Sequence, residues 1–265
     1  MQPVGEPHGP VASRERTRVP LPRRRRVRLA MQREIGRVLS PVWIPAVAGL
    51  LYFWMGYRIP NKAPLRREYA RIRREGDGPL LICANHLTMI DSAVIACALG
   101  SPWWYLRHFA ALPWNMPERN NFARSWAART LAYIMKCLPI VRGGPRADIA
   151  DVLNSFVAML ASGHVGLIFP EGGRSRAGRV DLDAAAYGVG RVVRELPGCR
   201  VLCVYLRGDH QASFSDIPVR GERFYAAIRL ITPTSAATGL RGDREIARRI
   251  VGELVDMEHE YFHDR

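Results

Sequence analysis

From residue 79 onward, short apolar runs alternate with longer stretches in which apolar residues recur at helical spacing. The short runs predict strands at 79–84, 138–141, 165–169 and 200–206. Between them, Ile149, Val152, Leu153, Phe156 and Leu160 predict a helix over 148–162, with Asp148 able to cap its start and Gly163 able to end it. A last helix is expected over 243–262. Strands separated by helices are what a parallel sheet requires, so the expected class is α/β, with a mostly parallel central sheet flanked by helices.

The N-terminal part follows another pattern. Residues 1–30 mix Pro, Gly and Arg, include the run Arg23 to Arg26, and lack apolar periodicity, so they read as a disordered basic tail. Between Arg37 and Arg58 lie 20 uncharged residues, the length of a membrane-spanning helix. Pro41 and Pro45 are expected to interrupt it and leave Ala46 to Tyr57, a length suited to an interfacial or re-entrant segment. Trp43, Tyr52, Trp54 and Tyr57 suit the headgroup boundary. Ten arginines precede the stretch, and Arg58, Lys62, Arg66, Arg67, Arg71, Arg73 and Arg74 follow it. Both flanks therefore favour the anionic inner leaflet, which a helical hairpin or a helix lying in the interface satisfies and a single crossing does not. The competing expectation is a buried core helix. A cleaved signal peptide is not expected, because the apolar run starts late and no small-residue cleavage site follows. The chain divides accordingly into a tail at 1–30, a membrane-associated helical segment at 31–75 and a folded domain at 76–265.

Composition narrows the partners. With 265 residues and 48% hydrophobic content, the chain can bury one α/β core with an appendage. Cys83, Cys97, Cys137, Cys199 and Cys203 form no Cys-x-x-Cys pair and read as reduced core residues of a cytosolic protein. The net charge of +15, carried almost wholly by arginine, points to a polyanion: nucleic acid, anionic lipid or a phosphorylated substrate.

Candidate chemistry follows each expected strand: Asn85-His86, then Arg142-Gly143-Gly144, then Pro170-Glu171-Gly172-Gly173-Arg174-Ser175, then Arg207-Gly208-Asp209. In a parallel sheet these ends share one edge, where open α/β folds bind ligands. His86 at a strand tip and Asp91 five residues on suit a turn into a helix, with the carboxylate in the first helical turn. Such an Asp accepts a hydrogen bond from one ring nitrogen and leaves the other basic. No Gly-x-Ser-x-Gly elbow is present, which argues against a serine hydrolase and for direct attack by a substrate hydroxyl; the competing expectation is a structural histidine beside a helix-opening Asp. Gly172, Gly173, Arg174 and Ser175 offer backbone N–H groups and a guanidinium to an anion, with Arg142 and Arg207 adding charge from neighbouring strand ends.

These segments resemble the glycerolipid acyltransferase family. Asn85 to Asp91 is similar to its first block, Asn-His-x-x-x-x-Asp. Leu138 to Arg142 resembles the second and Phe169 to Ser175 the third, while Val201 to Leu206 falls where the fourth would lie but lacks its usual Pro. The resemblance implies His86 and Asp91 as catalytic residues and Arg142, Glu171, Gly172, Gly173 and Arg174 as acceptor-binding residues; Asn85, Ser175 and Arg207 join them as substrate-binding candidates by their places at the strand ends. It implies acyl transfer from an acyl-CoA or acyl-carrier-protein thioester to a hydroxyl of a 1-acylglycerol-3-phosphate-like acceptor, with no metal and no cofactor. It also implies an N-terminal membrane-binding element on the cytoplasmic face. Gly173 stands where lysophosphatidic acid acyltransferases usually have Thr, and Arg174 to Arg179 is more like the glycerol-3-phosphate branch, so glycerol-3-phosphate and a specialised lysolipid are alternative acceptors.

Two rival readings were weighed. His259-Glu260-Tyr261-Phe262-His263 matches the zinc-protease pattern, but only Asp264 and Arg265 follow to supply a third ligand, so a structural role is expected. A nucleic-acid-binding protein would suit the charge, but no helix-turn-helix, zinc finger or aromatic RNA-binding pattern is present, and no specific nucleic-acid partner is expected. His108, His164 and His210 are expected to be surface or satisfied core residues, His210 with a possible acceptor contact because it follows Arg207-Gly208-Asp209.

Overall fold

In the computed structural model, residues 21–121 and 125–263 are described. Along the chain run α1 (Arg23–Gly49), α2 (Lys62–Glu75), β1 (Leu80–Ala84), α3 (Asp91–Leu99), α4 (Pro102–Arg107), β2 (Trp114–Asn115), α5 (Trp126–Ile134), α6 (Arg146–Ala161), β3 (Val165–Ile168), α7 (Tyr187–Arg194), β4 (Arg200–Gly208), β5 (Phe224–Ile231) and α8 (Gly239–His263). The five strands form one sheet in the order β2-β3-β1-β4-β5. The β2–β3, β3–β1 and β1–β4 pairs are parallel and only β4–β5 is antiparallel, which gives the expected α/β class.

All of β1 is buried because helices cover both faces. Its alternation sorts the core in two: Leu80, Ile82 and Ala84 join the cluster containing Trp43, Tyr69 and Ile95, while Leu81 and Cys83 join that of Phe156, Val192 and Leu254. The register Cys83↔Ile168 and Cys83↔Cys203 brings the C-terminal ends of β3 and β1 level, while β4 runs on past Val204 to Gly208 at the same edge.

Three local expectations change. Residues 138–141 form no strand: Cys137 and Ile140 make only isolated bridges, to Asn115 and Glu118, and Pro139 has no N–H to offer a ladder. The sheet edge is instead the two-residue β2, paired with β3 at Trp114↔Gly166.

Pro41 and Pro45 do not interrupt the first helix. α1 runs 27 residues through both and continues as a π-helical turn at Leu50–Trp54. Pro41 lacks the N–H that would bond the Arg37 carbonyl, and the Ser40 hydroxyl donates to that carbonyl at 2.7 Å instead. Together Arg23–Trp54 make 32 residues, long and apolar enough to cross a membrane.

Arg23 to Arg26 open α1, so the helix takes in residues 23–30 that composition had assigned to the tail. The rest of that tail, residues 1–20, lies outside the described residues. One side of α1 is core, with Trp43, Ile44 and Ala48 buried, whereas Val38, Val42, Phe53 and Trp54 on the combined helix are exposed. The buried-helix expectation thus holds for one face, and the other face is apolar and exposed.

Candidate active site

Asn85 is the first residue past β1, and its amide closes the sheet tip: Nδ2 donates to the Leu206 carbonyl at 2.9 Å, and Oδ1 accepts the Leu206 N–H at 2.8 Å. Both groups are committed to β4, so Asn85 props the loop that starts at His86.

Asp91 opens α3, where the helix dipole favours a carboxylate, and it is buried. Its Oδ2 accepts the Leu87 and Thr88 backbone N–H groups at 2.7 and 2.8 Å, and its Oδ1 accepts the Thr88 hydroxyl at 2.5 Å. With the carboxylate so fixed, His86 Nδ1 lies 3.0 Å from Oδ2. Nδ1 bears the proton of that contact, which leaves Nε2 with a free lone pair. Phe169 stacks on the imidazole, with ring centroids 3.9 Å apart and planes 12° from parallel. The ring is thus held by its edge and by one face.

The loop after β3 is tied to the same histidine. The His86 N–H donates to Glu171 Oε1 at 3.4 Å, and the His86 carbonyl accepts the Ser175 N–H at 2.9 Å. Glu171 Oε2 accepts the Asp181 N–H at 3.2 Å. Burial pushes the Glu171 carboxyl up to about 7, against the lowering effect of these two N–H donors. Gly172 provides the left-handed turn, φ 70°, that folds the loop back.

Arg142 follows Val141 even though no strand precedes it. Its N–H donates to Glu118 Oε2 at 3.1 Å, and a methyl group placed on Gly173 would lie 3.9 Å from its Nη1. Its guanidinium therefore stands beside the Gly172-Gly173 turn and remains partly exposed. Arg174 Nη1 donates to the Ser215 carbonyl at 3.1 Å and to Asp216 Oδ1 at 2.5 Å. The Ser175 hydroxyl donates to the Arg179 carbonyl and accepts the Arg179 N–H, closing a small turn. A cleft of mixed polarity runs along this loop, with Glu171, Arg174, Ser175, Arg176, Arg179 and Val180 in its walls.

Arg207 sits differently from the other arginines. It is buried, with Nη1 on the Gly178 carbonyl at 2.5 Å, Nη2 on the Gln211 carbonyl at 2.7 Å and Glu258 at 3.8 Å. Its guanidinium braces the loops from beneath.

Thr88 and Phe169 escaped the sequence reading, although both lie inside the segments that carry the resemblance. Thr88 is one of the variable positions between His86 and Asp91, and Phe169 reads as an ordinary strand residue. A second cleft lies on the other side of α3. Its walls are mainly apolar and include Ile44, Ala48, Ala93, Ala96, Cys97 and Met135.

The other described histidines have partners or surroundings of their own. His164 is buried beside Trp114, and burial lowers it to about 3. His108 Nδ1 lies 3.0 Å from the Trp104 carbonyl, and His210 Nδ1 is 3.1 Å from Glu222 Oε1. In the His-Glu-x-x-His stretch, Glu260 is engaged by Arg229 at 2.7 Å, and no group of three or more metal-ligating side chains is present among the described residues.

No curated protein matches the chain. The family model described as Acyltransferase matches residues 59–219, more than half of the chain and the whole interval from α2 through His86, Glu171 and Arg207 to Val219. The chain therefore belongs to the acyltransferase family, that of the glycerolipid acyltransferases.

Proposed function

We propose that the protein transfers a fatty acyl group from an acyl-CoA or acyl-carrier-protein thioester to a hydroxyl of a 1-acylglycerol-3-phosphate-like acceptor. The observation that carries this reading is the His86–Asp91 contact of 3.0 Å beside the loop that bears Arg174, next to which the Arg142 guanidinium stands. His86 Nε2 takes the proton of the acceptor hydroxyl as its oxygen bonds to the thioester carbonyl carbon. Collapse of the tetrahedral adduct breaks the C–S bond, and the imidazolium returns the proton to the departing sulfur. Asp91 stabilises the imidazolium without taking its proton. General base catalysis of this kind contributes a factor of about 10²–10⁴.

Arg142, Arg174 and the Gly173 N–H position the acceptor phosphate, the Gly172 N–H being donated to the Phe169 carbonyl, and Arg176 and Arg179 extend the basic rim. Their contribution is proximity. Asn85, Glu171, Ser175 and Arg207 act on the substrate through the loops they hold. The apolar cleft lined by Ala93, Ala96 and Cys97 of α3, the helix that Asp91 opens, suits the acyl chain of the donor.

The exposed apolar side of Arg23–Trp54, preceded by arginines, favours attachment to an anionic cytoplasmic leaflet. Gly173 and the extended Arg174 to Arg179 run favour glycerol-3-phosphate as the second acceptor to consider. Purified protein with labelled palmitoyl-CoA or palmitoyl carrier protein, offered glycerol-3-phosphate, lysophosphatidic acid and neutral lysolipids, tests the reading. Product is expected with a phosphate-bearing acceptor, and turnover of neutral lysolipids alone contradicts it.

A further inference from the structure

The connection between β4 and β5, residues 209–223, joins the catalytic loop to the end of the N-terminal helix. At one end the Ser215 N–H donates to the Leu87 carbonyl at 3.1 Å, and the Met89 N–H donates to the Asp216 carbonyl at 3.1 Å. Arg174 pins the same two residues from the phosphate loop. At the other end, the Tyr57 hydroxyl donates to the Pro218 carbonyl at 2.9 Å, and the Gly221 N–H donates to the Met55 carbonyl at 2.7 Å. Arg220 Nη2 donates to the Trp54 carbonyl at 2.8 Å, with its guanidinium 5.7 Å above the Trp54 ring.

A surface strap is ordinarily polar, since its side chains face water. This one turns Ile217 and Val219 outward at 61% and 56% exposure, next to Phe53 and Trp54 at 89% and 66%. Exposed Arg58 and Arg220 flank them. Aromatic and aliphatic side chains on adjoining segments, with arginines at their edge, match the chemistry of a headgroup boundary with acyl chains beneath it. Lipid phosphates would pair with the arginines at the edge of such an apolar tip while acyl chains take up the tip itself.

We propose that Phe53, Trp54, Ile217 and Val219 form one lip that inserts into an anionic phospholipid leaflet and seats the strap at its surface. A lipid acceptor then reaches His86 from the membrane, passing beside Met89 and Phe214. This rests on the reading that the acceptor is a lipid.

Two measurements on the full chain test the lip. In the first, Ile217→Cys carries an environment-sensitive nitrobenzoxadiazole label, with the labelled unsubstituted protein as background. Mixed phosphatidylcholine and phosphatidylglycerol vesicles are expected to shift its emission to the blue, and spin-labelled lipid is expected to quench it. Unchanged emission overturns the proposal whether or not acyl transfer occurs. In the second, Ile217→Asp/Val219→Asp is assayed with a vesicle-embedded lysophospholipid and with a dilute short-chain one. Turnover of the first is expected to fall about tenfold while that of the second stays within about twofold. Equal loss on both, no loss on either, or a lip-dependent dimer of the unsubstituted protein overturns the lip. Failure of the unsubstituted protein to acylate either acceptor, with the label still shifted, overturns the functional reading and leaves the lip standing.

Discussion

His86 Nδ1 and the Leu87 N–H meet the same Asp91 oxygen, Oδ2, at 3.0 and 2.7 Å. The carboxylate that orients the ring is itself oriented by the backbone of the turn it closes. Asp91→Asn keeps the shape but turns part of the carboxylate into an N–H donor facing N–H donors. It is expected to lower kcat by about 10²–10⁴-fold. Single-turnover thioester consumption measures this, and a loss smaller than about tenfold contradicts the assigned role.

Thr88 donates its hydroxyl to Asp91 from a buried position. Thr88→Val is nearly isosteric and removes a hydrogen bond to a charged group, so about 2 kcal/mol of unfolding free energy should be lost. The activity loss should be smaller than for Asp91→Asn, because the backbone still holds Oδ2. Urea denaturation beside initial rates checks both.

Glu171 gives a pH signature. Burial raises its carboxyl from 4.5 to about 7 in the folded protein, so the fold favours the protonated acid. The contribution is fully present below the unfolded value and is lost as pH rises through about 7, amounting to about 3 kcal/mol. Glu171→Gln removes the titration. The unfolding midpoint of the unsubstituted protein should therefore fall more steeply from pH 5 to pH 8 than that of the variant. Parallel profiles contradict the raised value.

Arg142 is half-exposed, with Glu118 3.8 Å from its Nε, and can still meet an anion, while Arg207 is buried on the Gly178 and Gln211 carbonyls. Arg142→Ala should raise KM for a phosphate-bearing acceptor about 10–100-fold with little change in thermal stability. Arg207→Ala should destabilise the protein, because it leaves the Gly178 and Gln211 carbonyls without their donor in a buried place and takes a cation from Glu258. The reverse pattern would exchange their roles.

The apolar cleft makes a prediction about chain length. Ala96 and Cys97 lie on the face of α3 that lines it. Ala96→Phe should depress kcat/KM for palmitoyl donors far more than for octanoyl donors, read from donor competition. Equal effects on both chain lengths would place the acyl chain elsewhere.

The sequence carries the site better than it carries the frame. His86 and Asp91 are legible because five residues of local chain determine their contact, and β1, β3 and β4 are legible because fully buried strands read as apolar runs. Trp114–Asn115 is invisible as a strand, since two residues carry no period and their pairing with β3 is nonlocal. The passage of α1 through Pro41 depends on Ser40, whose hydroxyl takes the orphaned carbonyl. Lys136 is fully buried, with its ammonium nitrogen on the Phe109 and Leu112 carbonyls, a fate no composition rule assigns to lysine. Arg207 differs from Arg142 for the same reason: which carbonyls surround a guanidinium is decided by loops remote in sequence.

The most direct measurement is the rate of labelled palmitoyl transfer from its thioester to a phosphate-bearing lysolipid by folded His86→Ala, set against the unsubstituted protein. A fall of about 10²–10⁴-fold with acceptor KM little changed is predicted, since the ring supplies the base and Arg142 and Arg174 hold the phosphate. Transfer at an undiminished rate would mean that another group deprotonates the hydroxyl.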